Sequence, residues 1–111
     1  MHSSAPALTQ VTARAALRDV IDLELGFNIV DLGLVYDIAI EDGIVDVRMT
    51  MTTPVCPAQD HIVNGVGRRL AQHGGTTGIF VGVVWDPTWS SDLMSAVAKA
   101  HFRIGGHGRS K

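Results

Sequence analysis

The chain has 111 residues, 46% of them hydrophobic, and a formal charge of −2. This describes one folded domain with a modest core rather than a disordered chain. No Lys/Arg block exists to track a nucleic-acid backbone, and no apolar run reaches the ~18–20 residues of a membrane span. A single cysteine, Cys56, excludes an internal disulfide and agrees with a reducing, cytoplasmic setting.

Residues 1–11 are small and polar and read as a disordered tail. Thr12 is placed to N-cap a first helix running through about Asp19 to Ile21, with Ala16, Leu17, Val20 and Ile21 as its apolar stripe. Gly26 reads as a helix stop or a turn, and residues 28–33 form an irregular link. A strand follows over residues 34–40, then an Asp42-Gly43 turn and a return strand from Ile44 to Met51. Alternation puts Val45, Val47, Met49 and Met51 on one face and Asp46, Arg48 and Thr50 on the other.

A second helix is expected over residues 58–72, with Ile62, Val63, Val66 and Leu70 facing inward. Gly65 and Gly67 each cost it ~1 kcal/mol relative to alanine, and close packing on the sheet is the expected reason. Residues 79–85 are apolar on both alternations, which suggests a strand covered on both faces, or at least more central than the hairpin strands. Ser90 or Ser91 then caps a last helix whose apolar side is Leu93, Met94, Val97, Ala98 and Phe102. Residues 106–111 are a flexible tail beyond a single domain spanning 12–105. The order α-β-β-α-β-α implies an α+β two-layer sandwich, with a small mixed three-stranded sheet and one crossover.

Chemistry concentrates at Met49-Thr50-Met51-Thr52-Thr53-Pro54-Val55-Cys56-Pro57. Two prolines bracket the thiol at a strand-to-helix turn, a setting that favours a thiolate. The blander reading is a small buried hydrophobe. Thr52 and Thr53 either satisfy turn backbone or present hydroxyls beside the thiol. Asp22 and Glu24 sit where acids oppose a helix macrodipole, so they face solvent or line a site. Asp31, in an apolar run, either caps backbone N–H groups or borders a cleft, capping being favoured. Trp85 and Trp89 read as core and loop anchors. The histidines show no zinc-site spacing, although a Cys-His-Asp triad assembled in space stays open.

Four ordered blocks carry a family resemblance. They are Asp22-Leu23-Glu24-Leu25-Gly26, residues 28–36, residues 49–57, and Trp85-Asp86-Pro87-Thr88-Trp89-Ser90. Together they resemble the SufT/PaaD-like metal–sulfur cluster biosynthesis family, over about residues 12–104. The resemblance implies a fold similar to the NifU C-terminal domain. It implies an accessory role in assembling iron–sulfur clusters or iron centres, or in delivering them to client metalloenzymes. It also implies one shallow site lined by Asp22, Glu24, Asp31, Thr52 and Thr53, with Cys56 as candidate metal ligand.

Leu23 and Thr88 stand where the family often has proline, and the cysteine-rich tail of PaaD-type relatives does not follow Cys56. One thiol cannot hold a cluster, so Cys56 would serve as a shared or transient ligand. No cofactor is expected to stay bound to the monomer; iron or a cluster would be transient cargo. The expected partners are client metalloenzymes and other assembly proteins, with a symmetric oligomer suggested by an open hairpin edge and no nucleic acid or membrane. The alternatives are a thiol-dependent enzyme with Cys56 as nucleophile and an adaptor for a client oxygenase. A carrier is favoured over an enzyme.

Overall fold

The computed structural model describes residues 8–53, 57–73 and 75–103. Helix α1 spans Gln10–Leu17 and opens on a capping box. The Thr9 hydroxyl accepts from the Thr12 N–H at 3.2 Å, and the Thr9 N–H donates to Thr12 Oγ1 at 2.8 Å. The cap is therefore Thr9, and Thr12 is its reciprocal partner three residues on. The helix ends at Leu17, short of the expected end between Asp19 and Ile21. Leu8, before the cap, is already buried.

The chain then forms a ladder absent from the sequence reading. Strand β1 (Ile21–Asp22) pairs antiparallel with β2 (Phe27–Asn28). Gly26, at φ +69°, closes the turn between them and donates its N–H to the Asp22 carbonyl at 2.6 Å. Residues 29–34 follow as turns whose apolar side chains, Ile29, Leu32 and Leu34, are fully buried. Their apolarity thus belongs to the core.

The hairpin forms as expected. β3 (Val35–Glu41) and β4 (Ile44–Met49) are antiparallel and joined by two residues, Asp42 and Gly43, both at positive φ. That is the type I′ geometry that matches strand twist. Val45, Val47, Met49 and Met51 are all buried. Thr50 departs from the alternation, being fully buried where a wet position was expected; its N–H donates to the Leu34 carbonyl at 2.8 Å, so the β3 side of the chain follows it past the strand end. Its hydroxyl has no partner among the described residues. A buried hydroxyl without a partner costs ~1–3 kcal/mol. Thr50→Val should raise stability by about 1 kcal/mol, read as a higher urea midpoint. A lower midpoint would mean that the hydroxyl does find a partner.

Helix α2 (Gln59–Ala71) buries Ile62, Val66 and Leu70. It links β4 to β5 (Gly78–Val83), which pairs parallel to β4. The sheet order is β3-β4-β5. The double-apolar strand is thus an edge and β4 is the centre, which corrects the expectation for residues 79–85. Phe80 opposes Asp46 on the face away from the core and is 63% exposed. Its apolar character does not mark a second covered layer.

The open edge also differs from expectation. On the hairpin side α1 lies against β3: Gln10 Nε2 donates to the Ile38 carbonyl at 2.7 Å, and Arg14 reaches the Val35 carbonyl at 3.5 Å. The side chains of α1 thus occupy that edge, and β5 is the border with no second strand beside it among the described residues.

The two helix glycines separate. A Cβ on Gly65 would lie 3.2 Å from Val20 Cγ1, a contact with the segment after α1 and not with the sheet. A Cβ on Gly67 would meet nothing within 4 Å among the described residues. Gly67→Ala should therefore recover about 1 kcal/mol of helix stability, seen as a rise in Tm. Gly65→Ala should gain less, because Val20 must give way.

The last helix starts later than expected. Ser91–Leu93 form one 3-10 turn, and Ser95 caps α3 (Ala96–Phe102) by accepting from the Ala98 N–H at 3.2 Å. Val97 and Leu93 are exposed rather than buried, and the packed residues are Met94, Ala98 and Phe102. Phe102 meets Phe27 edge-on at 5.7 Å between ring centroids, tying α3 to β2.

Candidate functional site

A cavity of about 260 Å³ opens at the end of β4, where the chain runs towards the cysteine. Its described walls are Met51, Thr52, Thr53, Trp85, Thr88 and Trp89. Two hydroxyl-bearing residues therefore precede the cysteine segment on one wall, and two indoles come from the loop after β5. Cys56 itself lies outside the described residues, as do Pro54 and Val55. The described chain resumes at Pro57, and Ala58 is buried at the start of α2.

The tryptophan loop is held from both sides of the fold. Trp89 Nε1 donates to the Leu32 carbonyl at 2.8 Å, and the Tyr36 hydroxyl donates to the Pro87 carbonyl at 2.8 Å. The Asp86-Pro87 peptide bond between them is cis. Trp89 also packs against the core, whereas Trp85 is 43% exposed. The indoles are thus more than anchors: one is fixed, one is accessible, and both face the same space. Thr88, where the resembled family often carries proline, adds a third hydroxyl to the wall.

The acidic residues sit apart from this cavity's lining. Asp22 is 1% exposed, and its Oδ1 accepts the N–H groups of Glu24 at 2.8 Å and Leu25 at 3.3 Å. It lies in β1, five residues past the end of α1, so no macrodipole acts on it. This is a carboxylate closing an Asx turn, and the turn lifts Glu24 to the surface.

Asp31 is a junction. Its Oδ2 accepts from Asn28 Nδ2 at 2.8 Å, and the Asn28 Oδ1 accepts the Asp31 N–H at 2.8 Å. The Arg18 guanidinium lies 3.7 Å away. The Asp31 carbonyl accepts from the N–H of Ser95, the α3 cap, at 2.8 Å. The hydrogen bond from Asn28 holds the carboxyl below its ordinary pKa against the opposing effect of burial, with further help from Ser95 and the Arg18 charge. The expected backbone cap is thus replaced by a side-chain network. It joins the ends of α1, β2 and α3, one residue from the Leu32 carbonyl that fixes Trp89.

Among the described residues, no three His, Cys, Asp or Glu side chains gather so as to hold a metal ion. The donors on the described walls are hydroxyls and indoles, suited to orienting a bound group.

The profile of the iron–sulfur cluster assembly protein family matches residues 10–81. The chain belongs to this family. Within it, the chain is 45% identical over 85 residues to an Fe-S protein maturation auxiliary factor of Bacillus subtilis (strain 168), covering 76% of this chain and 83% of that protein. It is 43% identical over 81 residues to the Fe-S protein maturation auxiliary factor SufT of Staphylococcus aureus (strain USA300), covering 72% and 92%. A domain of unknown function from Bacillus anthracis shares the fold of this iron–sulfur assembly family member with a TM-score of 0.81 at 42% identity, covering 86% and 92%. A conserved hypothetical protein of Thermotoga maritima does so with a TM-score of 0.78 at 37% identity, covering 91% and 100%. The SufT/PaaD-like resemblance and the α+β architecture with a small mixed sheet both hold. Among the described residues no helix is long and apolar enough to cross a membrane.

Of the cavity residues, Met51, Trp85, Thr88 and Trp89 escaped the sequence reading as site residues. The signal was present in the tryptophan block, but nothing local says that its loop folds back onto the end of β4.

Proposed function

We propose that this chain is an accessory factor that helps assemble iron–sulfur clusters or iron centres and delivers them to client metalloenzymes. Cys56 serves as a shared or transient ligand to this cargo. The observation that carries the reading is the cavity at Thr52 and Thr53, whose chain leads within three residues to the only thiol. Cluster irons take several cysteine thiolates, so a client or another assembly protein must supply the remaining ligands. Thr52, Thr53 and Thr88 would orient the bound group by hydrogen bonds. Glu24 would stand at the surface above the Asx turn. Asp22 and Asp31 would act as positioning residues that fix the loops around the site.

Anaerobic incubation of the purified chain with ferrous iron and sulfide, followed by visible absorption and transfer to an apo client, tests the reading. The wild type should load and activate the client, and Cys56→Ser should lose most of both. Equal loading and transfer by Cys56→Ser would remove the thiol from the chemistry. Retained client activation without loading would favour an adaptor.

A further inference from the structure

A second concave feature lies away from the cysteine segment. A groove of about 320 Å³ runs between α2 and the chain that follows α1. His61, Gly65, Arg68 and Gln72 line one side at intervals of four, three and four residues, which places them on a single face of α2. Val20 and Ile21 form the opposite side. A Cβ at Gly65 would lie 3.2 Å from Val20, so the missing side chain lets the two walls approach closely at the groove floor.

The charges in the groove are unequal. Asp19 is taken by Arg69, whose Nε donates to it at 2.8 Å while its NH1 donates to Gln72 at 3.1 Å. Those two bonds fix the Arg69 guanidinium and leave it with N–H groups still to give. Arg68 is exposed and makes no ion pair among the described residues. The His61 ring adds an N–H donor in either protonation state. Placing arginines in the last turn of α2 favours the helix dipole, yet that effect alone needs neither the Asp19 contact nor an open groove.

We propose that this groove binds an acidic peptide segment of a protein partner. Carboxylates would pair with Arg68 and the pre-fixed Arg69, and apolar side chains would rest on Val20 and Ile21. The floor is mixed, with cations beside aliphatic surface, which suits a segment carrying both kinds of side chain. Two arginines, one of them already paired with Asp19, are too few among the described residues to track a nucleic-acid backbone. The site lies along the helix whose start follows the cysteine segment; from His61 to Gln72 the axis advances about 16 Å. A partner held there would be tethered near the proposed cargo site, raising its effective concentration without sharing its chemistry.

The test is an amide-shift titration of the isotope-labelled full chain. The probes are an end-capped six-residue peptide of alternating glutamate and leucine, its glutamine counterpart, and inorganic phosphate. The acidic peptide should move the signals of residues 20–21 and 61–72. Its affinity should fall about tenfold in Arg68→Gln, and by a similar factor for the glutamine peptide, since each removes charge-assisted bonds. Iron loading by Arg68→Gln should stay at the wild-type level, so failure here and failure of the carrier reading are separable. Equal binding of the glutamine peptide, or shifts confined to other faces, would overturn the proposal. Shifts reproduced by phosphate at the same affinity would reduce the groove to a small-anion site and equally overturn it.

Discussion

Trp89→Ala should lower stability by about 3 kcal/mol and remove one wall of the cavity at Thr52 and Thr53. Full truncation of a buried tryptophan or phenylalanine costs ~3–5 kcal/mol, and Trp89 is half-buried, which sets the lower end. The loss has two parts that a second variant separates. Trp89→Phe keeps an aromatic ring against the core but removes the Nε1 donor from the Leu32 carbonyl. That carbonyl belongs to a fully buried residue, so leaving it unpaired should cost about 1–2 kcal/mol by itself. Denaturant unfolding of both variants measures the two parts. Trp89→Phe matching wild-type stability would mean that water replaces the indole. The functional counterpart is cargo transfer at a temperature where both variants remain folded. Trp89→Phe should retain more of it than Trp89→Ala, because a ring still closes the wall.

Asp31→Ala should cost about 2 kcal/mol, less than the sum of its bonds, because the Arg18 partner is half-exposed and that contact is screened. The loss should appear first in α3, whose cap hangs from the Asp31 segment. Faster amide exchange across residues 96–102 in Asp31→Ala than in wild type checks this, and uniform acceleration over the whole chain would contradict it. The pH dependence follows from the direction of the shift. The folded carboxyl titrates below its ordinary value, so its contribution is fully present above the unfolded pKa, near ~3.9, and fades as pH falls through the folded one. Asp31→Asn should accordingly lose less stability than wild type does when pH drops from about 5 to 3. An identical slope would assign the acid sensitivity to other carboxyls.

Local signals carried a good part of this architecture. The Asp42-Gly43 hairpin, the alternation of Val45, Val47 and Met49, and the α2 stripe of Ile62, Val66 and Leu70 each need only neighbours in the chain, and each stands as read. What failed depended on placement. Residues 79–85 are apolar because one face meets the helices, while Phe80 lies bare on the other; composition cannot tell an edge from a centre. The β1–β2 ladder is too short to leave a periodic trace, and its turn is closed locally by the Asp22 carboxylate, an Asx turn that two residues of strand on either side do not announce. Gly33 shows the same limit: its φ is +79°, and a Cβ there would run into the Leu93 backbone, sixty residues away. The four motif blocks were legible as a family signature. The cavity was less so, since the tryptophans reach Thr52 only through a loop pinned to Leu32 and Tyr36.

The sheet has two unequal borders. Gln10 and Arg14 sit on the carbonyls of β3, while β5 pairs only with β4 among the described strands. Cross-β growth adds strands indefinitely because every newcomer leaves a fresh border behind it. Here a second copy joining edge to edge at β5 would present only its own α1-blocked border on the far side. Such pairing ends at two copies instead of propagating into a fibre, so α1 acts as a chain terminator for the sheet.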